Sequence, residues 1–275
     1  MLAAHSRIGA AMNKRILIVH AHPEPASLNG ALKDAMHAHL LARGDEVEVS
    51  DLYAMGWKAA VDAADFPQRD ASARLRVPKD SHAAFAAGAL TADVRAEQAK
   101  LLRADGLILQ FPLWWYSMPA ILKGWFDRVY SYGFGYGVGE HSESHWGDRY
   151  GEGTLAGKRA LVSVTAGGWQ PHYSPRGING PIDDLLFPIN HGLLHYPGFD
   201  VLPPYVVYRS DRVDAGQFAQ ARDGLLRRLD GLWSDAPIAY RRQNGGDYAV
   251  PSLELKPGRE AGGERGFGLH VAPAA

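Results

Sequence analysis

The chain has 275 residues, of which 46% are hydrophobic, and a formal net charge of −1. This length and composition suffice for one large domain with a full core, or one domain with a tail. The near-neutral charge predicts no nucleic-acid partner, because such partners usually require a basic face. The chain contains no cysteine, which excludes disulfides, thiolate nucleophiles and cysteine-ligated metal centres.

Membrane insertion and secretion are not predicted from the sequence. Residues 1–12 lack the sustained apolar core of a signal peptide. The most apolar stretch, residues 107–122, is interrupted by Gln110, Pro112 and Pro119. It is therefore interpreted as a buried strand followed by a helix rather than a membrane span. We expect a cytoplasmic protein without stable membrane insertion.

Strands and helices are expected to alternate from the start of the domain. Residues Arg15 to Ala21 form a continuous apolar run, which predicts a central strand buried on both faces. Residues 30–43 carry apolar side chains at helical spacing, and a more exposed strand is expected around Val47 to Val49. Residues 51–92 form a long connection with little periodicity, a length that is unusual without a function.

The alternation continues in the second half of the chain. The predicted helices cover 93–103, 119–132, 181–195 and 215–232. The predicted strands cover 105–111, 159–165 and 201–208, and residues 133–157 are expected to be a loop. Five alternations of strand and helix predict a parallel sheet with helices on both faces. We expect an N-terminal extension (1–13), one α/β domain (14–232) and a C-terminal tail (233–275).

The first loop that follows a buried strand covers residues 22–29. Its free backbone N–H groups, with the Ser27 hydroxyl and the Asn29 amide, would form an uncharged cradle for a phosphate at a helix N-terminus. Simple helix capping by Ser27 explains the same residues equally well. Parallel sheets of this kind bind ligands beyond the carboxyl ends of their strands, where this loop lies.

Two further loops at the same edge carry unusual residues. The segment from Pro112 to Pro119 contains Trp114, Trp115 and Tyr116, and three adjacent aromatic side chains cannot all face the core. At least one is expected to line a pocket for a flat ring. The segment from Thr165 to Gly168 ends in two glycines, which allow close backbone approach to a ligand, although a tight turn is the favoured explanation of the glycine pair taken alone. The three loops converge only if the strand order is 2-1-3-4-5.

Other patterns predict no further site. The glycine-rich segment 133–139 follows a helix rather than a strand, so it is not a dinucleotide-binding turn. His141 and His145 have i, i+4 spacing in a segment that is not helical, so no metal site is predicted. The absence of a G-x-S-x-G sequence argues against a hydrolase.

The segment from Gln110 to Val129, QFPLWWYSMPAILKGWFDRV, resembles the flavin-binding segment of the NAD(P)H:quinone oxidoreductase family. The resemblance covers essentially residues 14–270. It includes the segments 22–29, 50–55, 165–168, 173–180, 195–199 and 266–269. It implies a flavodoxin-like α/β fold, with a doubly wound five-stranded parallel sheet (order 2-1-3-4-5), a long connection and a C-terminal tail at the dimer and active-site rim.

The resemblance also implies bound FAD in preference to FMN, NADH or NADPH as co-substrate, a quinone as acceptor, and a homodimer with two sites at its interface. The implied cofactor-binding residues are His22, Ser27, Leu28, Asn29, Pro112, Leu113, Trp114, Trp115, Tyr116, Thr165, Ala166, Gly167, Gly168 and Tyr173. The implied substrate pocket consists of Trp115, Tyr116, Gly167, Gly168 and Asn179, with Tyr136 and Tyr196 supplied by the second subunit.

Tyr173 and Asn179 are the implied catalytic residues, with Tyr173 at the N1/O2 edge of the flavin. Asn179 stands at a position where some family members have a histidine. Asparagine also occurs at this place in a paralogue that prefers non-phosphorylated nicotinamide donors, so the donor stays open. Gln217 stands where an FAD-contacting arginine would be expected, which bears on the choice between FAD and FMN.

The implied reaction is two-electron hydride transfer from a reduced nicotinamide through the flavin to a quinone, with ping-pong kinetics. Two alternatives remain at this point: a broader nitro or azo reductase, and an ancillary regulatory flavoprotein of a potassium-efflux system. A one-electron flavodoxin carrier is disfavoured, because such carriers tend to be small and strongly acidic.

Overall fold

The structure is a computed structural model that describes residues 13–260 and 262–273. The predicted N-terminal extension, apart from its last residue, therefore lies outside the described residues. Among the helices that are described, none combines the length and the apolar character that crossing a membrane requires.

Six strands form one parallel sheet in the described chain. They are β1 (Arg15–His20), β2 (Glu46–Asp51), β3 (Gly106–Pro112), β4 (Arg159–Ala166), β5 (Asp200–Val201) and β6 (Tyr205–Tyr208). The strand order is β2-β1-β3-β4-β5, and β6 also pairs with β4. This order confirms the predicted 2-1-3-4-5 arrangement and places the ends of β1, β3 and β4 side by side.

The predicted strand 201–208 is interrupted. Pro203 and Pro204 separate β5 from β6, and both short strands pair with β4, one after the other along its length. The interruption follows from chemistry, because proline has no N–H to donate to the sheet. The fifth position of the predicted sheet is therefore filled by two short strands.

The described residues contain six α-helices, five of them between strands and the sixth after the last strand. They are α1 (Leu28–Ala42), α2 (Val77–Ala86), α3 (Ala92–Arg103), α4 (Ala120–Val129), α5 (Ile182–Phe187) and α6 (Ala215–Asp230). A π-helical segment, Pro188–His195, continues directly from α5. Helices α1 and α6 cover one face of the sheet, and α3 and α4 cover the other.

The continuous apolar run of β1 is explained by these two layers. Ile16 and Ile18 belong to the core cluster under α1 and α6, whereas Leu17 and Val19 belong to the cluster under α3 and α4. Successive side chains of a strand point to opposite faces, so a strand covered on both sides must be apolar at every position.

The long connection is more ordered than the sequence indicates. It contains α2, which begins with Pro78 in its first turn, and a 3₁₀ turn at Ala63–Asp65. The sequence has little periodicity over this connection, and α2 was not predicted. The helix has only ten residues, and its first turn contains proline, so its apolar periodicity is short.

The C-terminal tail folds back onto the domain. The Ile238 N–H donates to the Val201 carbonyl at 2.8 Å, which fixes the start of the tail beside β5. Tyr240 and Val271 form an antiparallel bridge within the tail. The buried Arg241 donates from Nε to the Leu269 carbonyl at 3.0 Å, so its two ends are held together.

Arg128 of α4 fastens the long connection to the domain. Its buried guanidinium lies 2.9 Å from Asp65 Oδ1 and 2.7 Å from Asp93 Oδ2. It also donates to the Lys58 carbonyl at 3.1 Å and lies 4.6 Å from the centre of the Trp57 ring. One side chain thus joins a helix next to the site to two points of the connection, at residues 57–58 and at Asp65, and to the first turn of α3.

Replacing Arg128 with methionine should lower the free energy of unfolding by about 3 kcal/mol, because it removes one partner of a buried ion pair. Urea unfolding measures the change. The control is Lys123→Met in the same helix, which breaks an exposed i, i+4 pair with Asp127. That change should cost less than about 1 kcal/mol. Equal losses in the two variants would show that Arg128 does not fasten the connection.

Candidate active site

The three loops meet at the carboxyl edge of the sheet, as the strand order requires. Leu113 donates its N–H to the Thr165 carbonyl at 2.7 Å, which joins the second loop to the third. The His22 ring lies 5.9 Å from the Trp114 ring, which joins the first loop to the second. The convergence is thereby confirmed, while ligand contacts by these residues stay predictions.

The three loops, residues 22–29, 112–119 and 165–168, form a crevice, and a buried polar network lies beneath it. Gln110 Nε2 donates to Asn29 Oδ1 at 2.8 Å, and Asn29 Nδ2 donates to Thr165 Oγ1 at 3.0 Å. All three side chains are buried. In a low-dielectric interior such bonds are strong and fix geometry. The Asn29 and Thr165 side chains, predicted to contact the cofactor, therefore position the loops in this structure.

The first loop combines capping with open donors. Ser27 Oγ accepts the Gly30 N–H at 3.1 Å, so the capping interpretation of Ser27 is correct. The N–H groups of Leu28 and Asn29, the first two residues of α1, have no acceptor among the described residues. Two open donors at the positive end of a 15-residue helix suit an anion such as a phosphate.

The Trp-rich loop makes a tight, strained turn. Trp114 and Ser117 exchange backbone hydrogen bonds of 2.9 and 3.0 Å. Between them, Trp115 and Tyr116 have φ angles of +48° and +63°, the φ pattern of a type I′ turn, which normally takes Asn-Gly. Such φ values cost of the order of 1–3 kcal/mol per residue and cluster at functional sites. Trp115 is 94% exposed, so packing within this chain does not account for it.

A contact that the sequence did not indicate joins this turn to the segment after β4. The Tyr116 hydroxyl donates to Asn179 Oδ1 at 3.2 Å. Asn179 is itself held by its backbone N–H, which donates to the His172 carbonyl at 3.0 Å. The Asn179 side chain therefore has its amide N–H donors left for a ligand.

The two glycines have different roles. A Cβ at Gly168 would lie 2.8 Å from the Tyr173 ring, so Gly168 makes room for that ring. At Gly167 the nearest atom to such a Cβ is 3.9 Å away, on Asp211, so the backbone there is open to a ligand. Neither glycine has a positive φ, so turn strain does not explain the pair.

Three of the residues predicted to bind the cofactor can offer it mainly backbone groups, because their side chains are buried or packed against the core. Pro112 ends β3 and is buried, and Ala166 is 1% exposed at the end of β4. The partly buried Leu113 side chain packs against the core cluster under α3 and α4. The burial of these residues anchors the second and third loops to the core.

Tyr136 and Tyr196 lie together but away from the crevice. Both line a cavity of about 350 Å³ that also includes Phe126 and Arg128. None of the crevice residues lines this cavity. The predicted substrate pocket is thus not assembled within a single chain, and the supply of these tyrosines by a second subunit stays a prediction.

Sequence reasoning missed two residues beside the glycine loop. Trp169 is 53% exposed, and the Arg209 guanidinium lies 4.5 Å from the centre of its ring. The Arg209 N–H donates to the Gly168 carbonyl at 3.0 Å, from a backbone with φ of +55°. Trp169 could have been identified as one more aromatic residue in a ligand loop. No pattern in the sequence indicates that Arg209 lies beside Trp169.

His20, the last residue of β1, is a buried titratable group at the carboxyl edge of the sheet. Burial lowers its pKa to about 4, so it is uncharged at neutral pH.

A separate group of side chains, His145, Asp148 and Glu152, places three possible metal-ligand atoms within 4.8 Å of one another. His145 Nε2 already lies 2.8 Å from Asp148 Oδ1. The expectation that the protein has no metal site stays a prediction.

Comparison with known proteins decides the family. Residues 14–229 match the model of a family described by its flavodoxin-like fold. A ribosyldihydronicotinamide dehydrogenase-like protein of Penicillium crustosum is 54% identical, over 94% of this chain and 95% of its own length. NAD(P)H dehydrogenase (quinone) 1 of Rattus norvegicus is 36% identical, over 94% of this chain and 92% of its own. The chain belongs to the NAD(P)H:quinone oxidoreductase family.

A solved structure supports the same conclusion. A chain described as a quinone reductase from Klebsiella pneumoniae has a TM-score of 0.92 and 61% sequence identity, and the match covers 94% of this chain and all of the other. The resemblance found in the sequence and the flavodoxin-like fold that it implied are both confirmed for this family member.

Strain at Trp115 predicts an unusual effect of mutation. Replacing Trp115 with asparagine should raise the free energy of unfolding of the flavin-free protein by about 1 kcal/mol, because asparagine tolerates positive φ better than tryptophan. Chemical denaturation measures the change. The control, Trp114→Asn, makes the same substitution at a neighbour without positive φ and should not stabilise. A Trp115→Asn variant less stable than the wild type would contradict the strain.

Proposed function

We propose that this protein is a flavin-dependent NAD(P)H:quinone oxidoreductase that passes a hydride from a reduced nicotinamide, through bound FAD, to a quinone. One observation carries the proposal: the strained Trp115–Tyr116 turn and the open backbone of Gly167 flank a single crevice that begins at the N-terminus of α1. The names of the relatives that match this chain over nearly its full length agree with it.

The residues of the crevice fit a flavin. A flat ring can approach the backbone at Gly167 without meeting a side chain, and the N–H groups of Leu28 and Asn29 are open to a phosphate. When bound, the flavin supplies the hydride chemistry, and the protein supplies geometry and charge stabilisation. The aromatic rings of Trp115 and Tyr116 would hold a planar substrate against it.

We favour FAD over FMN because a cleft continues beyond the N–H groups of Leu28 and Asn29, which are proposed to bind the phosphate. A cleft of about 370 Å³ extends from Ser27 and Leu28 to the start of α6, where an adenosine could lie. No arginine of the described residues lines this cleft. Gln217 forms a capping box with Asp214, with bonds of 2.8 and 3.0 Å. Shape, rather than an arginine, would therefore hold the adenosine half.

Tyr173 and Asn179 are proposed to act on the reduced cofactor. Reduction places negative charge on one edge of the ring system, and hydrogen-bond donors aimed there stabilise it. The Tyr173 hydroxyl lies only 3.0 Å from the position of a Cβ at Gly168, so it reaches the glycine loop. Asn179 accepts from Tyr116, which orients its amide group.

A homodimer is proposed as the working assembly, with the C-terminal tail at the rim of its sites. Its support is that Tyr136 and Tyr196 line a cavity separate from the crevice, so one chain leaves the predicted substrate pocket without its wall. Sedimentation velocity at micromolar concentration would measure the assembly. A monomer with full quinone reductase activity would overturn this part of the proposal.

The function is tested by the visible spectrum of the purified protein. We expect a yellow protein whose released flavin is FAD by chromatography. Under anaerobic conditions, NADH, NADPH and reduced nicotinamide riboside are added separately, and menadione follows. Bleaching by at least one donor and recovery with menadione support the function, and the bleaching rates rank the donors. A colourless protein that takes up neither FAD nor FMN overturns it.

Replacing Tyr173 with phenylalanine should slow flavin reduction about tenfold or more, because a hydrogen bond to a charged group contributes about 1.5–3 kcal/mol. Stopped-flow absorbance measures the rate. The matched control is Tyr208→Phe. The Tyr208 ring lies 5.7 Å from that of Tyr173, and Tyr208 has no proposed role in the reaction. Reduction of the Tyr173→Phe protein at the wild-type rate would remove Tyr173 from the mechanism.

A further inference from the structure

A second cavity lies between the π-helical segment Pro188–His195 and the C-terminal tail. Its volume is about 340 Å³, within the range of about 300–1,000 Å³ that is usual for small-molecule sites. None of the crevice residues lines it, so it is distinct from the proposed flavin site. The function proposed above does not use it.

Flat aromatic rings make most of its wall. Phe267, Phe187, His191 and Tyr150 form a column in which successive ring centres are 4.2, 4.5 and 4.7 Å apart. The angles between successive planes are 11°, 16° and 26°, so the rings are nearly parallel. Phe267, at one end of the column, is 44% exposed. Rings stacked in this way cover one another's faces and leave their edges to the cavity. Ring edges pack favourably against the face of a planar aromatic molecule.

One cation projects from this wall without an acidic partner. Arg149 lines the cavity, and no carboxylate of the described residues forms an ion pair with it. Its Nε donates to Gln243 Oε1. Gln243 is 3% exposed and is held in turn by the carbonyls of Trp146 and Gly147, at 2.9 and 3.1 Å. A buried amide therefore orients the guanidinium, whose terminal N–H donors have no acceptor in the described chain.

The other titratable groups of the cavity leave this charge unopposed. In the part of the chain that the structure describes, no acidic residue lines the cavity. Burial lowers the pKa of His191 to about 3 and also lowers that of His270, so both are neutral at pH 7. Burial raises the pKa of Tyr248 to about 12, so its hydroxyl stays protonated. The lining of the cavity thus has one permanent positive charge among aromatic side chains.

We propose that this cavity is a second, flavin-independent binding site for a planar aromatic carboxylic acid. The face of the ligand's aromatic ring lies against the edges of the stacked rings, and its carboxylate accepts from the fork of Arg149, a geometry that guanidinium and carboxylate share. The ligand class follows from the site itself, which combines a column of aromatic ring edges with a single oriented cation.

The test uses 2-naphthoate as probe and isothermal titration calorimetry on flavin-loaded protein, repeated on flavin-free protein. We expect saturable binding in both forms, with no change in the visible flavin spectrum. Binding of the neutral 2-naphthamide should be about tenfold weaker or more, because a charge-assisted hydrogen bond is lost. Arg149→Gln should weaken 2-naphthoate binding to a similar extent, and Arg149→Lys should restore part of it.

Arg242→Gln is the matched control, because Arg242 is an exposed arginine of the same region that does not line the cavity. It should leave the affinity unchanged. Equal binding of the acid and the amide to the wild type, or unchanged affinity in Arg149→Gln, would overturn the proposal. So would a perturbed flavin spectrum or competition with FAD, which would place the probe in the crevice. Measurement on flavin-free protein keeps this result separate from the proposed oxidoreductase function.

Discussion

The register between the three central strands is the constraint on which the site depends. His20 pairs with Gln110, and Pro112 pairs with Thr165, so β1 ends two residues before β3, and β4 ends one residue beyond it. Because all three are parallel, their following loops must leave the sheet at one edge. A slip of one residue would turn every side chain of a strand to the opposite layer, and the full burial of β3 makes such a slip costly. Core packing thereby sets the position of the loops.

Two opposite kinds of local energetics meet at this edge. Beneath it, the bonds among Gln110, Asn29 and Thr165 stabilise the frame. Above it, Trp115 and Tyr116 have backbone angles that destabilise the free chain. A stable frame can carry a strained turn because the cost is small compared with what holds the strands together. The turn then has its ordered conformation before a ligand binds, so a flat ligand loses no binding free energy to ordering it.

The sequence predicts the parts of this molecule that depend on local pattern. The apolar runs at Arg15 to Ala21 and 105–111 identify the buried strands, and the Trp-rich segment identifies both the family and one loop of the site. What it misses depends on contacts between distant residues. The bond between Tyr116 and Asn179, and the position of Arg209 over Trp169, join segments dozens of residues apart. Neither spacing nor periodicity carries that information.

The divided fifth strand has a consequence for the protein in a crowded solution. An open sheet ends in two edges, and an edge with unpaired backbone groups can recruit a strand from another chain. Here the outer edge beyond β4 consists of two short pieces separated by Pro203 and Pro204, which have no N–H to offer. The opposite edge strand, β2, carries Glu46 and Glu48 on its more exposed side. Both edges are therefore poor templates for uncontrolled association.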